Sequence, residues 1–256
     1  MINKDAVILC GGFGTRITEL TRQIPKPMIK IGNKPIFIHI IEIYVKYGVN
    51  TFHLALGYKF EEFIKLFFRK QYSKNLKIFK KNKYLKVKKK MFNKEIIIYL
   101  HNTGKNTLTG GRLKRLKKYL NNTFFLTYGD GLANVNIKKL YNFHKNNKKQ
   151  VTVTAVRPAA RFGVLKIVEN EVTSFKEKPQ VNSGWINGGF FVMEPNFLDS
   201  IKNDKTILEK EPLEKAAKKK NMQAFKHKGF WYCIDTLRDK IQIEKILKSK
   251  GKVWVN

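Results

Sequence analysis

Apolar residues fall in short runs along this chain, and their spacing switches repeatedly between that of a strand and that of a helix. The run "AVILC" (6–10) has the length of a buried strand and opens into a glycine-rich loop. In "KPIFIHIIEIYVKYG" (34–48), Ile36, Ile40, Tyr44 and Tyr47 share one helical face, and Gly48 is placed to end the helix. "NTFHLALG" (50–57) reads as a strand, "FEEFIKLFFRKQY" (60–72) as an amphipathic helix and "EIIIYL" (95–100) as a strand. "TGGRLKRLKKYL" (109–120) predicts a helix capped by Thr109, with Leu113, Leu116 and Leu120 at helical spacing. A strand running into a turn follows at "TFFLTYGDG" (123–131), then a helix at "NIKKLYNFHKN" (136–146) and an alternating strand at "QVTVTAV" (150–156).

Beyond residue 157 the texture changes. "FGVLKIV", "EVTSFKEKP" and "WINGGFFVM" are short strands with turns between them, which predicts a mixed β region added to an α/β core. Helical patterns at 206–220 and 236–250 flank a strand candidate, "GFWYCID" (229–235). Strands alternating with helices at this spacing predict an α/β fold with a Rossmann-like, mostly parallel mixed sheet flanked by helices. With no internal repeat and no flexible linker, one continuous domain is the economical reading.

Composition agrees: 43% hydrophobic residues in 256 supports a packed core. The charge complicates the picture. Fifty-two basic against 19 acidic side chains give +33, a field that attracts polyanions. The lysines are nevertheless spread over the whole chain, and "KKNKYLKVKKK" (80–90) and "AAKKKNM" (216–222) read as solvated surface without RNP-type or zinc-finger patterning. No specific nucleic acid and no membrane is therefore expected as a partner, although the field would help to gather phosphorylated substrates. No apolar run approaches the roughly 20 residues of a membrane span. The opening lacks a signal-peptide pattern and two cysteines make no disulfide framework, so a soluble cytoplasmic protein is expected. Cys10 and Cys233 read as small buried apolar side chains, and the five histidines lack metal-ligand spacing.

The chemistry concentrates in "CGGFGTRITELTRQIPKPM" (10–28). In an open α/β sheet, ligands sit outside the carboxyl ends of the strands, where this loop leaves the first strand. Gly11, Gly12 and Gly14 permit close backbone approach, Arg16 offers a forked donor set for phosphate oxygens, and Lys26 adds a mobile point charge. Neither a P-loop nor a Rossmann fingerprint fits, because Ile17 stands where the third Rossmann glycine belongs. Two aspartates end apolar strands: Asp130 in "YGDG" and Asp235 in "CIDT". Each alone also reads as a turn aspartate or a helix cap.

The whole string resembles the signature of the sugar-1-phosphate nucleotidyltransferases, G-G-x-G-T-R followed by P-K-P. "TGGRLKRLKKYL", "FLTYGDGLANVNIKKL", "RFGVLKI", "FKEKP", "INGGFFVMEP" and "GFWYCIDTLRDK" follow in order, covering Ala6 to about Trp254 with 74–95 the poorest match. "TGGRLKR", "YGDG" and "WYCIDTLRD" are most similar to the branch of that family that joins CTP to glucose 1-phosphate. The resemblance implies one nucleotidyltransferase domain over 1–256, with a nucleotide-binding core to about 156 and a β-rich sugar-phosphate part beyond. It implies Mg2+ on Asp130 and Asp235, and Arg16 and Lys26 on the triphosphate. Leu9, Gly11, Gly12, Gly14, Thr15, Thr109, Gly110, Gly111, Arg112 and Asp130 would contact the nucleotide, the 109–112 helix start serving base selection. Lys178 would contact the sugar phosphate, with Glu177, Asn187, Gly188 and Trp231 around the sugar; Trp231 fits core packing equally well. A homo-oligomer is implied too. Lys105 departs from the pattern, standing where an acidic residue is expected after "TG", so another nucleotide or sugar phosphate remains an alternative.

Overall fold

A computed structural model describes residues 4–68, 77–81, 84–91, 93–158, 164–169, 171–176 and 184–255. The first parallel strands are β1 (Asp5–Cys10), β4 (Thr51–Leu56), β7 (Lys94–Asn102) and β8 (Phe124–Tyr128), with a small β2–β3 pair (Lys30–Ile31 and Lys34–Pro35) near the start. β1 lies between β4 and β8, and β4 pairs with β7, all in parallel. The remaining strands are β5 (Lys77–Lys81), β6 (Tyr84–Met91), β9 (Gly131–Ala133), β10 (Val151–Val156), β11 (Val164–Val168), β12 (Glu171–Lys176), β13 (Ile186–Met193), β14 (Met222–His227) and β15 (Trp231–Cys233). The large sheet has nine strands in the order β14-β10-β13-β8-β1-β4-β7-β6-β5.

Alternating burial follows the strand period of two. On one face Ala6, Ile8, Phe125, Phe190 and Val192 meet helices α2 (Ile36–Lys46), α3 (Phe60–Phe68) and α5 (Ile137–Asn147). On the other, Val7, Leu9, Phe124, Leu126, Phe191 and Met193 meet Leu113, Leu116 and Leu120 together with α6 (Glu211–Lys218). The short α1 (Thr18–Thr21) belongs to the opening loop, α4 is Thr109–Arg115, and α7 (Leu237–Lys250) closes the chain.

The α/β expectation holds, with differences in detail. β13 is no part of a separate β region: it lies in the large sheet, antiparallel to β8 and β10, because its apolar residues alternate across both cores. Of the three short strands expected in that region, β11 and β12 pair with each other outside the large sheet. The lysine-rich stretch 80–90 is not all solvated surface: it overlaps the end of β5 and most of β6, an antiparallel pair at one sheet edge in which Val87 of β6 is fully buried. β14, which the apolar pattern does not reveal, runs parallel to β10 at the other edge. In β10 the valine–threonine alternation hides no solvent face. Thr152 is buried, its hydroxyl oxygen lying 2.7 Å from His144 Nδ1 and accepting from Gln223 Nε2. The 206–220 helix begins only at Glu211, and the 109–120 helix ends at Arg115. No described helix is long and apolar enough to cross a membrane.

Candidate active site

Parallel pairing brings the carboxyl ends of β1, β4, β7, β8 and β10 to one sheet edge, and antiparallel β13 adds its amino end there. The loops after Cys10, Leu56, Asn102 and Tyr128 therefore gather at one edge, with Asn187 and Gly188 beside them. β15 pairs with β9, and Ile234 N–H donates to the Asp130 carbonyl at 3.0 Å. This pairing carries Asp235 to Asp130 from more than 100 residues away in sequence.

Between the two carboxylates lies Lys26. Its ammonium donates to Asp130 Oδ2 at 2.7 Å and to Asp235 Oδ1 at 2.5 Å. Lys26 starts a 3-10 turn, Lys26–Met28, held between Pro25 and Pro27. Gly14, at φ +67°, lets the preceding loop double back: a Cβ there would stand 2.8 Å from Thr21 Cγ2 and 3.2 Å from Lys26 Cβ. Burial works against the charge of Lys26, yet Asp130 and Asp235 outweigh it and raise the lysine pKa. The cluster of two carboxylates and one ammonium carries a net negative charge.

Asp235 is not the helix cap. Thr236 caps α7, accepting from Asp239 N–H, while Asp239 Oδ2 accepts the backbone N–H groups of both Asp235 and Thr236. The capping box thus orients Asp235, whose carboxylate accepts from Lys26 and caps no helix.

One ligand atom each from Asp130, Cys233 and Asp235 lies within 4.8 Å of the others. Burial, then the nearby Asp130 and Asp235 charges, push the Cys233 thiol well above its ordinary range, so it stays protonated. The ionic donors are two hard carboxylate groups, a set that fits Mg2+ and not a soft metal. Cys10 is buried and likewise held protonated, by burial and then by Asp130. His39, His53, His101 and His144 are buried away from this cluster in their own hydrogen bonds.

Arg112 takes a different place from the one its motif suggests. Its buried guanidinium donates to Leu56 O, Thr103 Oγ1, Gly104 O, Lys105 O and Gly11 O at 2.7–3.2 Å. It ties the ends of β1, β4 and β7 together, and burial lowers its pKa to about 10, leaving it charged at neutral pH. Gly11 is glycine because of this bond: a Cβ would lie 2.2 Å from the guanidinium.

The helix start at 109–111 is likewise occupied. Leu108, not Thr109, is the cap residue, and the N–H groups of Gly110 and Gly111 donate to the Thr206 carbonyl. The expectation that this helix end offers free amides to an anion or a base edge is corrected here, because the 203–209 turn already uses them. Thr109 Oγ1 donates to Glu209 Oε2 at 2.7 Å and accepts from Leu208 N–H.

Gly12 and Thr15 are exposed in the loop, while Leu9 is buried in β1. Asn187 Nδ2 donates to the Tyr128 hydroxyl at 3.1 Å, and Trp231 Nε1 donates to Gly188 O at 2.8 Å. Trp231 is half-buried, its indole edge serving the backbone of β13. Glu177 and Lys178, and the side chain of Arg16, lie outside the described residues. Tyr128 and Glu209 were not singled out from the sequence. Burial, then Glu209, push the Tyr128 phenol up and keep it a hydrogen-bond donor. Tyr128 sits one residue from "GDG", a usable signal; nothing in "TILEKEPLEK" marks Glu209.

Residues 5–250 match the family model described as nucleotidyl transferase. The chain belongs to the nucleotidyl transferase family. Glucose-1-phosphate cytidylyltransferase of Salmonella typhi is 41% identical over 254 residues, covering 97% of this chain and 98% of that protein. Mannose-1-phosphate guanylyltransferase catalytic subunit beta of Drosophila melanogaster is 32% identical over 241 residues, covering 91% of this chain and 60% of that one. The crystal structure of HddC from Yersinia pseudotuberculosis superposes with TM-score 0.69 at 24% identity, covering 94% of this chain and 98% of that one. The fold and the enzyme class are those of nucleotidyl transfer.

Proposed function

We propose that this protein transfers the cytidylyl group of CTP to glucose 1-phosphate, giving CDP-glucose and pyrophosphate. The observation that carries this reading is the Lys26–Asp130–Asp235 cluster at the carboxyl edge of the sheet, in the family just named. The substrate pair comes from the Salmonella typhi relative, whose name specifies it and whose full length this chain matches.

In the reaction a phosphate oxygen of the sugar phosphate forms a bond to the α-phosphorus. The bond from that phosphorus to the bridging oxygen breaks, and pyrophosphate leaves with the electron pair. Such a step needs positioning and charge neutralisation more than covalent help. Asp130 and Asp235 would hold Mg2+, which when bound neutralises phosphate charge and orients the oxygens. Lys26 and Arg16 grip the triphosphate and steady the leaving group. Gly12 and Thr15 line its path, while Arg112 fixes the loop ends around the nucleotide. On the sugar side the reading uses Lys178 and Glu177, with Asn187, Gly188 and Trp231 shaping the wall. The enzyme works in this reading as one domain over 1–256, as a homo-oligomer in the cytoplasm, with no nucleic acid or membrane partner.

A second reading keeps the chemistry and changes the nucleotide or the sugar phosphate, favoured by Lys105 and by the guanylyltransferase relative. A panel decides between them: protein, Mg2+ and glucose 1-phosphate with each of CTP, UTP, dTTP, ATP and GTP, following pyrophosphate. Release with CTP alone is the expected result. Release with another nucleotide instead overturns the base assignment, and silence with all five overturns glucose 1-phosphate as the acceptor.

A further inference from the structure

Lys26 is placed where the family reading puts a cation and not where it puts phosphates. Its ammonium touches one oxygen of each aspartate, its side chain is only 12% exposed, and the two acids are 27% and 18% exposed. The carboxylate pair of the free protein therefore already has a counter-ion, supplied by the chain. A divalent cation held by the same pair would face that ammonium across a few ångströms, and like charges at this range in a partly buried site repel strongly. The lysine can leave without any backbone change, since four methylenes separate Nζ from the rigid Pro25–Pro27 turn.

We infer that Lys26 is an internal counter-ion that closes the Asp130–Asp235 pair to divalent cations until a nucleotide triphosphate draws the ammonium away. Cation and nucleotide then bind as a linked pair, and the free protein holds the cation weakly. This rests on the reading that Asp130 and Asp235 are the metal ligands. Linkage makes the effect reciprocal: displacement of the lysine by phosphate strengthens cation binding, and the cation strengthens phosphate binding by the same factor.

The test is Mn2+ binding without any nucleotide, followed by the electron paramagnetic resonance signal of free Mn2+. Lys26→Met keeps side-chain length and removes the charge. It should bind Mn2+ at least about tenfold more tightly than the unaltered protein, since removing a like charge a few ångströms from the cation is worth roughly a decade or more in affinity. Lys26→Arg, which keeps the charge, should bind as weakly as the unaltered protein. Lys30→Met removes an exposed lysine four residues on and controls for the general field. It should shift the affinity by no more than about twofold, because screened surface charges act weakly. Lys26→Met combined with Asp235→Asn should lose the gain.

The inference is overturned if Lys26→Met binds Mn2+ within twofold of the unaltered protein, or if Lys30→Met matches it. Thermal denaturation keeps the test sharp if Lys26→Met is less stable alone. Mn2+ should then raise its midpoint more than that of the unaltered protein, and an equal rise counts against the inference. A parallel titration with CTP present separates the two levels. Binding with CTP, joined to no gain for Lys26→Met in the titration without nucleotide, sinks the counter-ion role and leaves the metal ligands standing. No binding in any protein with CTP sinks the metal reading itself.

Discussion

Two clusters in this molecule are made of the same residue types in opposite proportion. At the sheet edge, two aspartates share one lysine. On α2, one glutamate, Glu42, is shared by two lysines, Lys34 and Lys252, with His39 Nδ1 at 3.7 Å. The difference in count goes with a difference in access. Asp130 and Asp235 are 27% and 18% exposed, while Glu42 is 1% exposed beneath lysines that are each about one-third exposed. The first cluster has two acids to one lysine and is open in part to solvent. The second has its acid sealed, and its surplus charge is basic and faces water.

Their surroundings match these roles. Lys252 belongs to the chain end that packs on α2, where Trp254 is buried, its ring meeting His39 edge-on at 5.3 Å, and Lys46 donates to the Val255 carbonyl. Glu42 is thus a latch for the C-terminal segment. Asp235, by contrast, is positioned by a capping box while its carboxylate accepts from Lys26 at the sheet edge. A sealed acid ringed by lysines holds a fold together, whereas part-exposed carboxylates at the sheet edge stay within reach of a ligand.

Four experiments set the two clusters against each other. The largest effect should come from the metal. Chelation should lower pyrophosphate release by on the order of 10³-fold, since charge neutralisation carries most of such a reaction, and Mg2+ should restore it. Chelator-insensitive release would remove the functional half of the contrast.

Next, Glu42→Gln should cost about 3 kcal/mol of unfolding free energy in a denaturant titration, because it strips two ammonium groups of their shared partner. A loss under about 1 kcal/mol would mean the latch is only decoration.

Acid should act in two steps of different origin. Burial, then His53 and Lys118, hold His101 down at about 3 in the folded protein, against an ordinary histidine value of 6.5. The unfolded chain takes this proton first, so the stability from a neutral His101 is complete above pH 6.5 and lost as pH falls toward 3. Burial opposes ionisation of Glu42, but His39, Lys34 and Lys252 outweigh it and bring the carboxyl to about 2, against 4.5. Its contribution is present above pH 4.5 and lost as pH falls toward 2. Glu42→Gln should therefore flatten the lower part of the stability profile and leave the part between pH 6.5 and 4.5 unchanged.

The smallest effect should be Thr236→Ala, which removes the cap of α7 for about 1 kcal/mol. Because Asp239 then loses one of its fixed partners, turnover should fall more than stability alone explains, as read by the rate at a temperature where the variant is fully folded.

How far the sequence carried follows the range of the interactions involved. The first strand, the glycine loop and the α2 helix were legible because their signals are local: a compact apolar run, positive-φ glycines and a helical stripe ended by Gly48. The aspartates were legible as strand-end residues, and the resemblance paired them. What no local pattern carries is the choice of partner. Arg112 reads as an anion-binding arginine until β4 and β7 deliver the carbonyls of Leu56, Gly104 and Lys105 to it. Gly110 and Gly111 offer free amides until the Thr206 carbonyl arrives from nearly a hundred residues away. β6 hid because its lysines resemble surface, although Val87 beneath them is fully buried. Lys26 was assigned to phosphates, and only the fold placed it between Asp130 and Asp235.

The central claim is that the acid-rich cluster runs the reaction while the lysine-rich one holds the chain end. It is tested most directly by the turnover number with CTP and glucose 1-phosphate for Asp235→Asn beside Glu42→Gln, at a temperature where both are folded. The account predicts a fall of about 10²-fold or more for Asp235→Asn. It predicts turnover within about threefold of the unaltered enzyme for Glu42→Gln, as befits an independent site. Equal losses in the two variants, or a larger loss in Glu42→Gln, would contradict it.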